Sequence, residues 1–279
     1  MIGDVVARAL AEDLGPLGDL TSALLPAGAQ ADAVLVPRAA GVLAGRAAAH
    51  ETFAQVDPAI ELAWSAADGD LVVAGEPVAR VRGPLASVLT AERTALNFLS
   101  HLSGIATLTR RFADRAAPAR VRDTRKTTPG LRALEKAAVR AGGGVNHRGN
   151  LSDGVLVKDN HLGGLTVAEA VAGARRQWPG RTVQVECDTA AQVAEALAAG
   201  ADLVLLDNMS PEGVAGCVAV VAGRCLVEVS GGVTLDNVAA YAAAGADLVA
   251  VGAITHSAPV LDIGLDLRPG SGPDGPGPR

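Results

Sequence analysis

AAGADLVLLDN (198–208) and AAGADLVAVGA (243–253) are near copies of one another. Each has the tail of an Ala-rich helix, a glycine where a helix needs a left-handed C-terminal cap, a short apolar run, and then polar or glycine residues. That is the joint of a βα unit. The same rhythm extends from about residue 119, with candidate strands at 119–123, 154–159, 182–186, 202–207, 225–229 and 247–252. Glu186, Asp207 and Glu228 each close or nearly close one of these runs, 21 residues apart. Strands apolar on both faces and joined by helical crossovers form a parallel sheet, either a barrel or an open doubly wound sheet. In both, ligands sit at the carboxyl ends of the strands, where the polar residues of this sequence collect. Glu228 is expected there with Glu186 and Asp207.

Upstream the pattern changes. Residues 1–115 read as a separate α+β layer domain with a starting helix (IGDVVARALAEDL), strand-like pieces at 31–38, 41–45, 60–66 and 76–83, and a long helix from about Leu85 to Ala116. Residues 116–267 form the βα domain. The end, 268–279, is Gly/Pro-rich, cannot build a packed core and is expected to be disordered. The chain is 49% hydrophobic with only six aromatic residues, so its core is built from Ala, Val and Leu. Stacking on nucleic-acid bases is poorly supplied. Three cysteines without metal-ligand spacing argue for a reducing compartment, and no apolar run reaches membrane-spanning length. A cytoplasmic protein is expected, with neither nucleic acid nor membrane as partner.

The formal net charge is −6, yet Arg122 to His161 holds eight Lys/Arg against four acids. This basic island falls on two strand exits. DTRKTTPG (123–130) places Arg125 and Lys126 between a strand and a helix beginning near Pro129. VLVKDNH (155–161) places Lys158 and His161 beyond a run too apolar for the surface. Between them GGGVNHR (142–148) brings His147 and Arg148 on a glycine-rich loop, which permits close backbone approach. Arginine offers a planar fork for carboxylate or phosphate, and lysine a point charge. An anionic ligand is therefore expected. Glu186 and Asp207 would face it, which suits sugar hydroxyls or a hydrated Mg²⁺, or else they neutralise the adjacent cations. Ser230, Gly231 and Gly232 follow one late strand, and Gly252, with His256 four residues on, follows the next. Barrels commonly hold a phosphate there.

TAERTALNFLSHLSGIAT (90–107), DTRKTTPGLRALEKAAVRAGGGVNHR (123–148), LSDGVLVKDNH (151–161), LLDN (205–208), VEVSGGV (227–233) and VGAITHSAPVLDIGLD (251–266) closely resemble the quinolinate phosphoribosyltransferase family. EDLGPLGDLTSALL (12–25) fits as well, so the similarity spans nearly all but the tail.

The resemblance implies an N-terminal α/β sandwich domain, an incomplete (open) α/β barrel of parallel strands, and a homodimer with a shared active site. It implies transfer of a phosphoribosyl group from phosphoribosyl pyrophosphate to quinolinate with decarboxylation, using Mg²⁺. Arg125, His147, Arg148 and Lys158 would surround the quinolinate carboxylates, with Arg93 reaching in from the other subunit. Lys126 and His161 would lie towards the pyrophosphate. Glu186 and Asp207 would serve the ribose hydroxyls and Mg²⁺, with the metal held mainly by the substrate pyrophosphate. Lys126, Lys158, Glu186 and Asp207 are the expected catalytic groups, and Ser230, Gly231, Gly232, Gly252 and His256 the 5′-phosphate end. Gly149 and Asn150 depart from the bulkier residues expected there and would loosen the loop. The rival readings are a molybdenum-transport-associated homologue, a nonenzymatic anion- or nucleotide-binding protein on the same scaffold, and aldolase-like chemistry with Lys158 as the nucleophile.

Overall fold

A computed structural model describes residues 2–268. Two compact units divide the chain. One takes the residues up to Leu108, Pro129–Gly142 and those from Ala258 onward; the other takes Thr109–Thr128 and Gly143–Ser257.

The first unit contains α1 (Ile2–Leu14), β1 (Gln30–Pro37), β2 (Gly41–Val42), α2 (Arg46–Val56), β3 (Glu61–Trp64), β4 (Leu71–Val72) and β5 (Ala79–Pro84). The helix α3 (Leu85–Ala116) follows, counted in this unit up to Leu108 and in the other from Thr109, and α4 (Arg132–Ala141) belongs to this unit. Strands β1, β5 and β3 pair antiparallel, with β5 in the middle of the three. Phe53 of α2, Leu35 of β1 and Leu99 of α3 are fully buried in one apolar cluster. Each such side chain contributes about 1.5–3 kcal/mol on leaving water.

The second unit holds β6 (Arg120–Arg122), β7 (Val155–Val157), β8 (Val183–Cys187), β9 (Leu203–Asp207), β10 (Leu226–Ser230) and β11 (Leu248–Ala250). The helices between and after them are α5 (Asp159–Leu162), α6 (Val167–Gln177), α7 (Ala190–Ala198), α8 (Pro211–Val221), α9 (Val238–Ala243) and α10 (Ala253–His256). All six strands run parallel in the order β6-β11-β10-β9-β8-β7. A closed barrel would pair β6 with β7, but these are the two edges, so the sheet is open. At the β6 edge Val145 forms an isolated parallel bridge to Arg122. The loop that follows it, 146–148, carries His147 and Arg148.

Alternation along each strand sorts the side chains. Val183, Val185 and Cys187 of β8 share one face and are buried, as are Val204 and Leu206 of β9 and Val227 and Val229 of β10. The other face carries Gln184, Glu186, Asp207, Glu228 and Ser230. Helix starts follow capping rules: Thr166 and Thr189 accept from the backbone N–H of Glu169 and Gln192, and Ser210 accepts from Gly213 ahead of Pro211. Gly200 and Gly245, in the two near-repeats, have φ of 80° and 95°, the left-handed caps expected there.

Two expectations need correction. The strand β12 (Ile263–Leu267), expected in the barrel domain of residues 116–267, pairs antiparallel with β1 and belongs to the first unit. The helix expected near Pro129 begins at Arg132, and with its flanks it too joins the first unit, so no single cut near residue 116 separates the two. The Gly/Pro-rich end expected to be disordered lies, apart from Arg268, outside the described residues. Among the described residues, no helix is long and apolar enough to cross a membrane.

Candidate active site

Every expected site residue except Arg93 lies in the second unit; Arg93 is exposed on α3 in the first. The site is built from the carboxyl ends of the parallel strands.

At the β7 and β8 ends, Lys158 follows Val157 and Glu186 follows Val185, which are aligned partners in the ladder. The Lys158 ammonium and the Glu186 carboxylate form an ion pair, with the two side chains 40% and 14% exposed. The lysine beyond a buried strand thus has an anionic neighbour, as its position demands. His161, one turn on, accepts the Lys158 backbone N–H at Nδ1 (3.2 Å) and is itself exposed.

At the next two ends Asp207 of β9 aligns with Ser230 of β10. The Asp207 Oδ2 accepts from the Asn208 amide at 2.6 Å. Asn208 has a positive φ of 55°, and Gly231 has φ 88°. A Cβ at Gly231 would sit 2.1 Å from Asn208 Oδ1, so only glycine lets these two turns approach. Beyond β11, a Cβ at Gly252 would lie 3.1 Å from His256 Nε2 and 3.2 Å from Lys126 Cδ. The turns after β6 and β11 therefore meet, and the Thr255 hydroxyl donates to the Lys126 carbonyl at 2.7 Å.

The basic loop is organised by a buried acid. Asp123, fully buried, accepts from the His147 backbone N–H (2.8 Å) and from the Asn146 side chain (2.5 Å). His147 Nδ1 accepts the Arg148 backbone N–H at 2.7 Å, so this ring nitrogen carries no proton. Arg148 donates to the Gly154 carbonyl at 3.3 Å. Burial, with the neighbouring positive charge of Arg125, lowers the Arg148 pKa from its ordinary value. Two guanidiniums thus sit close enough to disfavour each other, an arrangement an anion between them would relieve. His147 and Arg148 also line a cavity of about 460 Å³ that includes Arg122, Leu156 and Gln184. It extends towards Leu203, Leu226 and Leu248 at the starts of their strands, below the level of Lys158 and Asp207.

Gly149 and Asn150 do not leave the loop loose. The Gly149 N–H donates to Asp153 at 2.6 Å, and Asn150 Oδ1 accepts the Ser152 N–H at 2.8 Å, which closes a short turn. Glu228 differs from its expected place in burial. In register it aligns with Leu205, the level that Glu186 also holds, yet Glu228 is fully buried while the Glu186 side chain stays partly exposed. Sequence reasoning missed the structural parts of Asp123, Asn208 and Gln184. Only Gln184 carried a readable signal, a polar residue two places before Glu186 on the same strand face.

Both halves of the chain match family models. The C-terminal domain of quinolinate phosphoribosyl transferase matches residues 105–266, and the N-terminal domain residues 19–103. This chain belongs to the quinolinate phosphoribosyltransferase family. Among relatives in that family, the chain is 44% identical to the nicotinate-nucleotide pyrophosphorylase (carboxylating) of Mycobacterium leprae, over 95% of this chain and 96% of that protein. It is 38% identical to a quinolinate phosphoribosyltransferase (decarboxylating) of Nicotiana glauca, over 94% of this chain and 81% of that protein. The solved nicotinate-nucleotide pyrophosphorylase of Francisella tularensis superposes with a TM-score of 0.93 at 36% identity, covering 96% of both chains. The family's mixed architecture, an antiparallel-sheet domain and a parallel-strand α/β domain, is the one described above.

Proposed function

We propose that this chain joins quinolinate to phosphoribosyl pyrophosphate and releases pyrophosphate and CO₂, forming nicotinate mononucleotide. The observation that carries the reading is the placing of Arg125, Arg148 and the Lys158–Glu186 pair on the loops and strand ends of one parallel sheet, in a chain of this family. Quinolinate is a dianion, and its co-substrate carries still more negative charge. A cation cluster in a chain of net charge −6 is what binding both together requires.

Arg125, His147, Arg148 and Lys158 bind the two quinolinate carboxylates and fix the ring so that its nitrogen faces the sugar carbon. The His147 ring is oriented by its Nδ1, which accepts the Arg148 backbone N–H. Glu186 and Asp207 hold the ribose hydroxyls, and their charge favours the cationic character that develops at that carbon as pyrophosphate leaves. Lys126 and His161 lie on the pyrophosphate side, and Ser230, Gly231, Gly232, Gly252 and His256 take the 5′-phosphate. Attack makes the ring nitrogen positive. The electron pair left at C2 when its carboxylate departs as CO₂ is then held beside a cationic nitrogen until solvent protonates it. Positioning and electrostatics account for the catalysis, with no covalent intermediate.

The residues suit Mg²⁺ of a particular kind. Among the described residues, no group of three or more His, Cys, Asp or Glu could hold a metal. Two carboxylates, Glu186 and Asp207, fit an ion bound through one or two carboxylates and mainly by substrate phosphates. Mg²⁺ bound there supplies charge neutralisation for the departing pyrophosphate.

The working assembly is a homodimer in which the partner copy of Arg93 completes the quinolinate site, and the protein acts in the cytoplasm, where its three free cysteines stay reduced. Product analysis tests the reaction: nicotinate mononucleotide is expected from quinolinate, and none from nicotinate offered in its place. Mixing Arg93→Ala with Arg148→Ala tests the shared site, because hybrid dimers contain one intact site and recover part of the activity. Absence of recovery after verified subunit exchange contradicts the shared arrangement.

A further inference from the structure

Beneath the basic loop lies a charged network that shares only His147 with the groups already assigned to substrate. Glu228 Oε2 accepts from Arg122 (2.9 Å) and from the Gln184 amide (2.6 Å), and lies 3.7 Å from His147 Nε2. The second guanidinium nitrogen of Arg122 donates to the Asn146 carbonyl at 3.2 Å. The other carboxylate oxygen, Oε1, is buried and meets no protein donor. The Glu228 side chain is fully buried, while those of Arg122 and His147 are 17% and 11% exposed.

We propose that Glu228 is a positioning residue for quinolinate: through Arg122 and the face of His147 it fixes the 146–148 loop at the height where His147 and Arg148 meet the ligand. This rests on the reading of the site as a quinolinate site. Two contacts to the loop meet at one carboxylate. Arg122 carries the position of Glu228 to the Asn146 carbonyl, and the His147 ring lies against the same carboxylate oxygen, 3.7 Å away at Nε2. Nδ1 of that ring is occupied by the Arg148 N–H, so the ring is held at one nitrogen by its own loop and lies near Glu228 at the other. Asp123 holds the loop from its backbone side, and Glu228 holds it from inside the sheet.

Stability alone does not account for a carboxylate in this place. Desolvation raises the Glu228 pKa, against the opposing pull of Arg122 and Gln184, so the ionised form is disfavoured by the fold. Removing one partner of a buried ion pair leaves the other charge, here Arg122, uncompensated and costs stability whatever else the pair does. A residue kept only for the core would therefore cost stability alone when neutralised, whereas a positioning residue would also lose recognition of one substrate and not of the other.

Glu228→Gln distinguishes the two. The expected result is a KM for quinolinate raised about tenfold or more and a KM for phosphoribosyl pyrophosphate within about twofold, beside a lowered melting temperature. The parent protein assayed in parallel separates this inference from the one beneath it: no quinolinate turnover by the parent overturns the proposed function itself. Turnover by the parent with an unchanged quinolinate KM in Glu228→Gln overturns the positioning role, as does a loss of stability with both KM values unchanged. Should Glu228→Gln not fold, Arg122→Lys reads the same link, because it keeps a cation beside Glu228 and removes the fork that reaches Asn146. A quinolinate-specific rise in KM is expected there, and equal KM values for both substrates to the parent's would contradict the inference.

Discussion

Lys158 and Glu186 reach one another from the ends of adjacent parallel strands, each one residue past an aligned valine pair, and join as an ion pair. The lysine side chain is 40% exposed, so the pair itself contributes at most about 1 kcal/mol to folding. Under the proposed function its value lies in holding an ammonium and a carboxylate side by side, one for the anionic ring and one for the sugar. Lys158→Met is expected to fold with a melting temperature within a few degrees of the parent while kcat/KM falls by about 100-fold or more. Steady-state kinetics beside a melting curve reads both.

The unfavourable proximity of Arg148 and Arg125 predicts a ligand-dependent stability. A dianion that binds only the folded state at about 100 times its Kd adds about 2.7 kcal/mol. For a protein of this size, where 1 kcal/mol moves the melting temperature by about 2 °C, that is a rise of roughly 5 °C. Quinolinate should produce it, nicotinate with its single carboxylate should produce less, and Arg148→Met should abolish it without lowering the unliganded melting temperature. Differential scanning fluorimetry measures all three.

Gly231→Ala is expected to damage the turn between β10 and α9. The backbone there has φ 88°, and the new methyl would collide with Asn208. Strain of this kind costs about 1–3 kcal/mol before any relief by movement of Asn208. That movement would drag Asp207, which accepts from the Asn208 amide, so denaturant titration should show lower stability and kinetics a weaker affinity for phosphoribosyl pyrophosphate.

Hydrogen bonds from the Ser22 hydroxyl, the Ser22 backbone and Thr90 hold the Asp19 carboxyl down at about 2. A depressed carboxyl stabilises the fold above its unfolded value and loses that contribution as pH falls through the folded one. Asp19→Asn should therefore lower stability at pH 7 and flatten the loss of stability between about pH 4 and pH 2. Melting temperatures across that range check the slope; equal slopes in the two proteins contradict it.

Local pattern made α1, α3 and the six parallel strands legible, because each is written in continuous apolar periodicity. The short α2 and β4 escaped, lying among strand-like pieces with no clear period of their own. The place of β12 was not legible: its apolar run says strand, but its partner is β1, some 230 residues away, and such pairing leaves no local trace. The basic and acidic groups at the strand ends were readable because charge beyond a buried run is costly and conspicuous. Glu228 shows where that reasoning stops. Its spacing from Asp207 equals that of Asp207 from Glu186, and ladder register sets it level with Glu186, yet Arg122 and Gln184 close on it and it is fully buried, which spacing along the chain does not reveal. Arg122 looked like any other cation of the island, because the carboxylate that defines it lies 106 residues on.

The most direct test of the central claim is a paired stoichiometry. The purified protein is given phosphoribosyl pyrophosphate, Mg²⁺ and quinolinate labelled in the 2-carboxylate, and pyrophosphate and labelled CO₂ are measured together. One-to-one release, dependent on quinolinate and lost in Arg148→Ala, is the predicted result. No release of either product from a folded preparation, or pyrophosphate release without CO₂, would contradict the account.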